Sequence, residues 1–146
     1  MQMEYYSLPL AVDKIMKKRE ERQDLARCTM QQSVIQHLHL LLTTAFGEFP
    51  ADERFGCGIW ENDFDNVTSA HKLREYIRQT LHQSIQEQEG RLGNVRVDVL
   101  LRQEELPGQG MRNIKKKIDV TITGVLQLTN ERLSFRDSFF VGPLSY

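Results

Sequence analysis

A chain of 146 residues fits one domain and buries about 70% of the surface its unfolded form exposes. With 40% hydrophobic and 27% charged residues and a formal net charge of -1, its interspersed charges exclude a general nucleic-acid binder, which needs a basic face. No basic-then-apolar leader opens it, and its longest aliphatic stretch, Leu38 to Leu42 with His39 inside, is far short of the ~20 residues of a membrane span.

Residues 1–28 read as a lead-in. Tyr5, Tyr6, Leu8 and Leu10 open it, and a mixed-charge run from Lys14 to Asp24 follows, a solvated helical turn or loop rather than a nucleic-acid arm. Val12, Ile15 and Met16 have the spacing of a short docking helix. From Thr29, a suitable N-cap, the residues Val34, Ile35, Leu38, Leu41, Leu42 and Ala45 make one apolar stripe. This predicts a helix through Phe46, stopped by Gly47.

The next segment runs Gly47-Glu48-Phe49-Pro50, then Phe55-Gly56-Cys57-Gly58-Ile59-Trp60-Glu61, then Phe64. Its aromatics need burial and its glycines allow tight turns, so it predicts a compact corner rather than a slack linker. A second helix follows, capped by Asp65 or Asn66, with Val67, Ala70, Leu73, Ile77, Leu81 and Ile85 on its buried face. It ends near Gln88, and Gly90 is placed for a left-handed turn.

The period then changes to two. Val95, Val97, Val99 and Leu101 alternate with Arg96, Asp98 and Arg102, giving a half-buried strand, and Glu104 to Met111 reads as a flexible loop. Ile118, Val120, Ile122, Leu126 and Leu128 share one face of a long strand, in which Gly124 marks a bulge or a close backbone approach. Thr129-Asn130-Glu131 makes a hairpin turn into a last strand that carries Leu133, Phe135, Phe139 and Val141 on one face. The fold class is α+β: two main helices on one face of a mainly antiparallel sheet of three or more strands, whose edges are open to strand addition.

For chemistry, His37 and His39 point to nearly opposite sides of a helix, and His71 and His82 lie about three turns apart on another. No His/Cys/carboxylate cluster has ligand spacing, so neither metal nor cofactor is expected. Cys28 and Cys57 read as free thiols with no base beside them in sequence. Lys115-Lys116-Lys117 reads as solvated edge lysines, and Gly56-Cys57-Gly58 lacks the spacing of a phosphate-binding loop.

Glu48 is the catalytic candidate. With Asp52, Glu53, Glu61 and Asp63 near it, and Phe46, Phe49, Phe55 and Trp60 around it, it has the makings of the acid in a carboxylate pair that cleaves glycosidic bonds. The competing reading, a loop anchor accepting backbone amides, is preferred, because the rings are needed to fill the space between helices and sheet. Glu89-Gly90-Arg91 sits where the second helix turns into the first long strand. Its two charges can pair with each other, cap the helix or meet a partner.

Leu40-Leu41-Leu42-Thr43-Thr44, Gly47-Glu48-Phe49, Phe55-Gly56-Cys57-Gly58-Ile59-Trp60 and Phe64, in this order between two helices, resemble the contractile-tail baseplate wedge family. That family includes the small wedge protein of phage baseplates and TssE of type VI secretion systems. The resemblance spans residues 25–141 and divides the chain into a lead-in, 1–24, and one wedge-like domain, 25–146; the lead-in is more like that of the secretion-system branch. It implies a non-enzymatic, cytoplasmic structural subunit that joins other wedge subunits to the first ring of the contractile sheath by strand addition. Nucleic acid, membrane insertion and small-molecule substrate are not expected.

In this resemblance, Gly47, Glu48, Phe49, Phe55, Gly56, Ile59, Trp60 and Phe64 form a structural corner. Glu89 and Arg91 match a Glu-Pro-Arg motif that contacts other wedge subunits, with Gly90 in place of the proline. The family is also labelled lysozyme-like, which keeps a peptidoglycan hydrolase with Glu48 as general acid as the alternative. A stress-response anti-adaptor resembles the family too, so a regulatory binding module is a third reading.

Overall fold

Thr29 starts the first helix by a reciprocal cap. Its hydroxyl accepts from the Gln32 amide at 3.2 Å, and Gln32 Oε1 accepts from the Thr29 amide at 3.1 Å, so two otherwise orphaned donors are satisfied. The computed structural model describes residues 4–9, 27–60, 70–106 and 113–141. The expected docking helix around Val12, the caps Asp65 and Asn66, and Val67 lie outside the described residues, as do Glu61, Asp63 and Phe64.

Ahead of that cap, β1 (Tyr5–Tyr6) and β2 (Arg27–Cys28) form a short antiparallel ribbon with Tyr5 opposite Cys28. Helix α1 spans Met30–Thr43 and buries Val34, Leu38, Leu41 and Leu42. It ends three residues before the expected Phe46. The Thr43 hydroxyl donates to the His39 carbonyl and the Thr44 hydroxyl to the Leu40 carbonyl, taking acceptors at the end of the helical ladder. Thr44 is extended, and Ala45, expected on the helical stripe, bridges Cys57 in parallel.

Helix α2, Ala70–Gln88, buries Leu73, Ile77, Leu81 and Ile85 at the predicted spacing. Gly90 is not in the left-handed region expected of it; among the described residues the positive-φ glycines are Gly47 and Gly56.

Strands β3 (Leu92–Leu106), β4 (Asn113–Leu126) and β5 (Arg132–Val141) form an antiparallel meander in the order β3-β4-β5. Strand β3 continues through Glu104 to Leu106, where a loop was expected, because its register carries on against β4: Glu104 faces Lys115 and Leu106 faces Asn113. The rest of that expected loop, Pro107 to Met111, lies outside the described residues.

The register shifts between Gly93 and Arg96, beside the positive-φ Asn94, so the bulge falls on β3. Gly124 is the close approach: a Cβ there would lie 2.8 Å from the Leu92 side chain and 3.0 Å from the Gly93 carbonyl oxygen. Leu128, expected on the buried face, is 66% exposed, since β4 ends at Leu126 and the chain turns through Thr129-Asn130-Glu131 as expected.

Both helices pack on the same face of the sheet. Val97 and Val99, then Ile118, Val120 and Ile122, then Leu133 and Phe135 line the core side, and the opposite face is mainly polar, with Leu100 and Phe140 exposed on it. The architecture is α+β. Among the described residues no helix is long and apolar enough to cross a membrane.

Candidate functional site

The aromatic and glycine corner is held by main-chain and ring contacts. Gly56, at φ +136°, lies so near the strand after α1 that a Cβ would stand 2.6 Å from the Thr44 carbonyl oxygen; only glycine fits. That closeness lets the Cys57 amide donate to Thr44 O at 3.0 Å. Cys57 Sγ and Trp60 Nε1 both donate to the Leu42 carbonyl, at 3.2 and 2.7 Å, satisfying an acceptor left open at the end of α1. Ile59 is fully buried, and the Trp60 ring meets Phe139 of β5 edge-on, centroids 5.8 Å apart. Helix, corner and sheet are fastened at one point.

Glu48 lies outside this packing. It is exposed, and its Oε2 accepts from the Ala45 amide at 2.8 Å. Phe49, one of the rings expected to enclose it, is 47% exposed and packs against Phe55. Asp52 is held below the usual carboxylate range by a hydrogen bond from Gln88 and another from the Arg54 amide, which makes it an anchor between corner and α2. Glu53 is also exposed. Among the described carboxylates of this corner, Glu48, Asp52 and Glu53, none is the enclosed acid that glycoside cleavage needs.

The charged centre of the molecule is Glu89, immediately after α2 and only 2% exposed. Oε1 accepts from Arg91 Nε at 2.8 Å and from the Arg91 amide at 3.1 Å; Oε2 accepts from Arg91 Nη2 at 2.8 Å. Oε2 also lies 2.7 Å from His37 Nδ1 on α1, and since an ionised carboxylate only accepts, that nitrogen donates. Burial pushes the Glu89 carboxyl up, but the hydrogen bonds from Arg91 and His37 and the Arg91 charge outweigh it and lower the pKa to about 2. The same hydrogen bonds, donated to Glu89, raise the Arg91 guanidinium. Arg91 also donates to Ser33 Oγ at 2.9 Å and stacks on the Tyr5 ring, 5.1 Å from its centroid.

The corner at Glu89 therefore joins β1, α1, the end of α2 and the start of β3. Sequence reasoning found Glu89 and Arg91 but missed Tyr5, Ser33 and His37. Nothing local marks them, because their partners lie far along the chain: His37 and Glu89 are 52 positions apart. The remaining histidines go to separate partners: His39 to Asp137 on β5, His82 to the Val95 carbonyl on β3, and His71 to Arg74.

Comparison with known proteins agrees with this architecture. The chain is similar in structure to a protein assigned as a tail lysozyme from Geobacter sulfurreducens, with a TM-score of 0.56 at 18% identity, over 81% of this chain and 96% of that one. No curated protein sequence matches the chain significantly. The family model for baseplate wedge protein gp25 matches residues 28–131, from the β1–β2 ribbon to the last hairpin turn, including both Glu89 and Arg91. The chain belongs to the gp25 family of baseplate wedge proteins, structural subunits of phage-tail-like baseplates.

Proposed function

We propose that the protein is the TssE-type wedge subunit of a type VI secretion baseplate, which binds other wedge subunits through the Glu89 corner and takes up a sheath strand on its sheet edge. The family match over 28–131 carries this reading, together with the lead-in ahead of the matched residues. Within the corner the two charges divide the work. Glu89 is enclosed and positions Arg91; Arg91 is the group that reaches a partner. Its N–H donors serve Glu89 and Ser33 and a further hydrogen bond to Tyr5, while 27% of its side chain stays exposed, which leaves an edge of the guanidinium to meet a carboxylate or carbonyl across an interface.

Strand addition needs an edge with unpaired backbone groups. On β5, the Ser138 amide donates to its neighbour Asp137 at 2.8 Å, and His39 of α1 fastens that carboxylate. On β3, His82 of α2 takes the Val95 carbonyl. The run from Val97 to Gln103 lies beyond that tie, which makes β3 the better receiver.

Co-purification tests the assembly. Wild-type protein should carry wedge and sheath subunits with it, and Arg91→Ala should lose the wedge subunits while the purified domain stays folded. Intact assembly in that variant would remove the corner from the interface. For the edge, a cysteine replacing Gln103 should cross-link to sheath and one replacing Ser134 should not; the reverse pattern would move the docking edge to β5.

A further inference from the structure

The sheet face turned away from the helices has no cover within the described chain, and its charges are of mainly one sign. The register puts Arg96 and Arg102 of β3, Lys117 of β4, and Arg132 and Arg136 of β5 on that face. Farther along the register Glu104 stands opposite Lys115, and against the other five cations stand Asp98 and Asp119. Asp119 is already engaged by Arg102 and by the Ser138 hydroxyl, and Asp98 lies in the field of Arg78 from α2. Among the described residues Arg96, Arg132 and Arg136 take part in no ion pair. A chain of net charge -1 thus keeps an excess of positive charge on one surface.

The surface is also shaped. A groove of about 470 Å³ opens between Arg96 and Arg132, floored by Thr123, Gly124 and Val125 and bordered by Asn94 and Ser134. Its polar side chains are two guanidiniums, two hydroxyls and the Asn94 carboxamide, and no carboxylate lines it. Farther along the same face Leu100 is 50% and Phe140 48% exposed, with the Lys117 ammonium over the Phe140 ring. Two guanidiniums beside a groove that no carboxylate lines suit acidic side chains, and adjacent apolar side chains suit a polypeptide. We propose that this face docks an acidic segment of a partner protein, its carboxylates seated between Arg96 and Arg132 and an apolar residue on Leu100 and Phe140. This surface is separate from both the Glu89 corner and the sheet edges, so it stands or falls independently of the proposed function.

The test uses the full chain and a fluorescein-labelled hexaglutamate peptide, read by anisotropy at low salt. Saturable binding is expected, weakening as salt rises toward about 0.15 M. The double variant Arg96→Glu with Arg132→Glu should bind at least about tenfold more weakly with an unchanged thermal midpoint. Lys72→Glu, on the exposed side of α2, should bind as wild type. The proposal is overturned by absence of saturable binding, by equal loss in the Lys72 variant, or by a DNA oligonucleotide of equal charge binding more tightly than the peptide.

Discussion

Glu89 illustrates how a buried charge becomes stabilising. Its carboxylate has lost nearly all contact with water, yet it receives hydrogen bonds from Arg91 twice through the side chain, once through the amide, and from His37. Its folded-state pKa is lowered from 4.5 to about 2, so it contributes stability above the unfolded value. That contribution is lost as pH falls from about 4.5 to about 2. Its size is about 3 kcal/mol. Glu89→Gln should lower stability at neutral pH by about that amount and flatten the acid limb of the stability curve, measured by urea unfolding at a series of pH values. An acid limb as steep as in the wild type would show that another carboxylate governs it.

Glycines can be ranked at the same scale. Gly56→Ala places a Cβ 2.6 Å from a carbonyl oxygen at a φ of +136° and should cost about 3 kcal/mol or prevent folding. At Gly90 an added Cβ meets nothing within 4 Å, so Gly90→Ala should leave the melting temperature within about 2 °C of wild type. Calorimetry on the pair checks both.

At the scale of elements, helix ends and strand ends are decided by groups that do not follow the apolar rhythm. The stripes of α1 and α2 and the alternation in β3, β4 and β5 were legible because one face of each is buried and the spacing repeats. The end of α1 was not, since it depends on two threonine hydroxyls and on Gly56 approaching from the next segment. The far end of β3 was hidden because Glu104 reads as the start of a loop, whereas it continues the ladder by register. The site was half legible. Glu89 and Arg91 stand out as a charged pair at a helix end, but His37 and Tyr5 become neighbours only through the fold.

Element edges give a further prediction. Asp137 occupies the Ser138 amide and is itself fastened by His39. Asp137→Ala should therefore cost about 1 kcal/mol and leave β5 open to pairing with another copy, seen as self-association in sedimentation velocity. A variant that stays monomeric would show that α1 alone guards this edge.

For the molecule as a whole, the parts divide into a packed side and two outward surfaces. The packed side holds helices, corner and core strands together. The surfaces are the Arg91 region and the bare sheet face, which suit a subunit that joins neighbours. Purified protein should leave peptidoglycan uncleaved, and Glu48→Gln should change nothing in that assay, because Glu48 is exposed and bonded to its own loop amide. Turbidity clearing by the wild type that the variant abolishes would restore the hydrolase reading.

The contact between the Arg91 amide and Glu89 has a kinetic consequence. That hydrogen can exchange with solvent only when the enclosed carboxylate lets go, and the carboxylate is held by His37 of α1 and by the Arg91 side chain, itself fastened to Ser33 and Tyr5. Exchange at this one amide should run at the rate of global opening rather than local fraying. It offers a single-site reporter in which a partner bound at any of the joined segments registers as slower deuterium uptake.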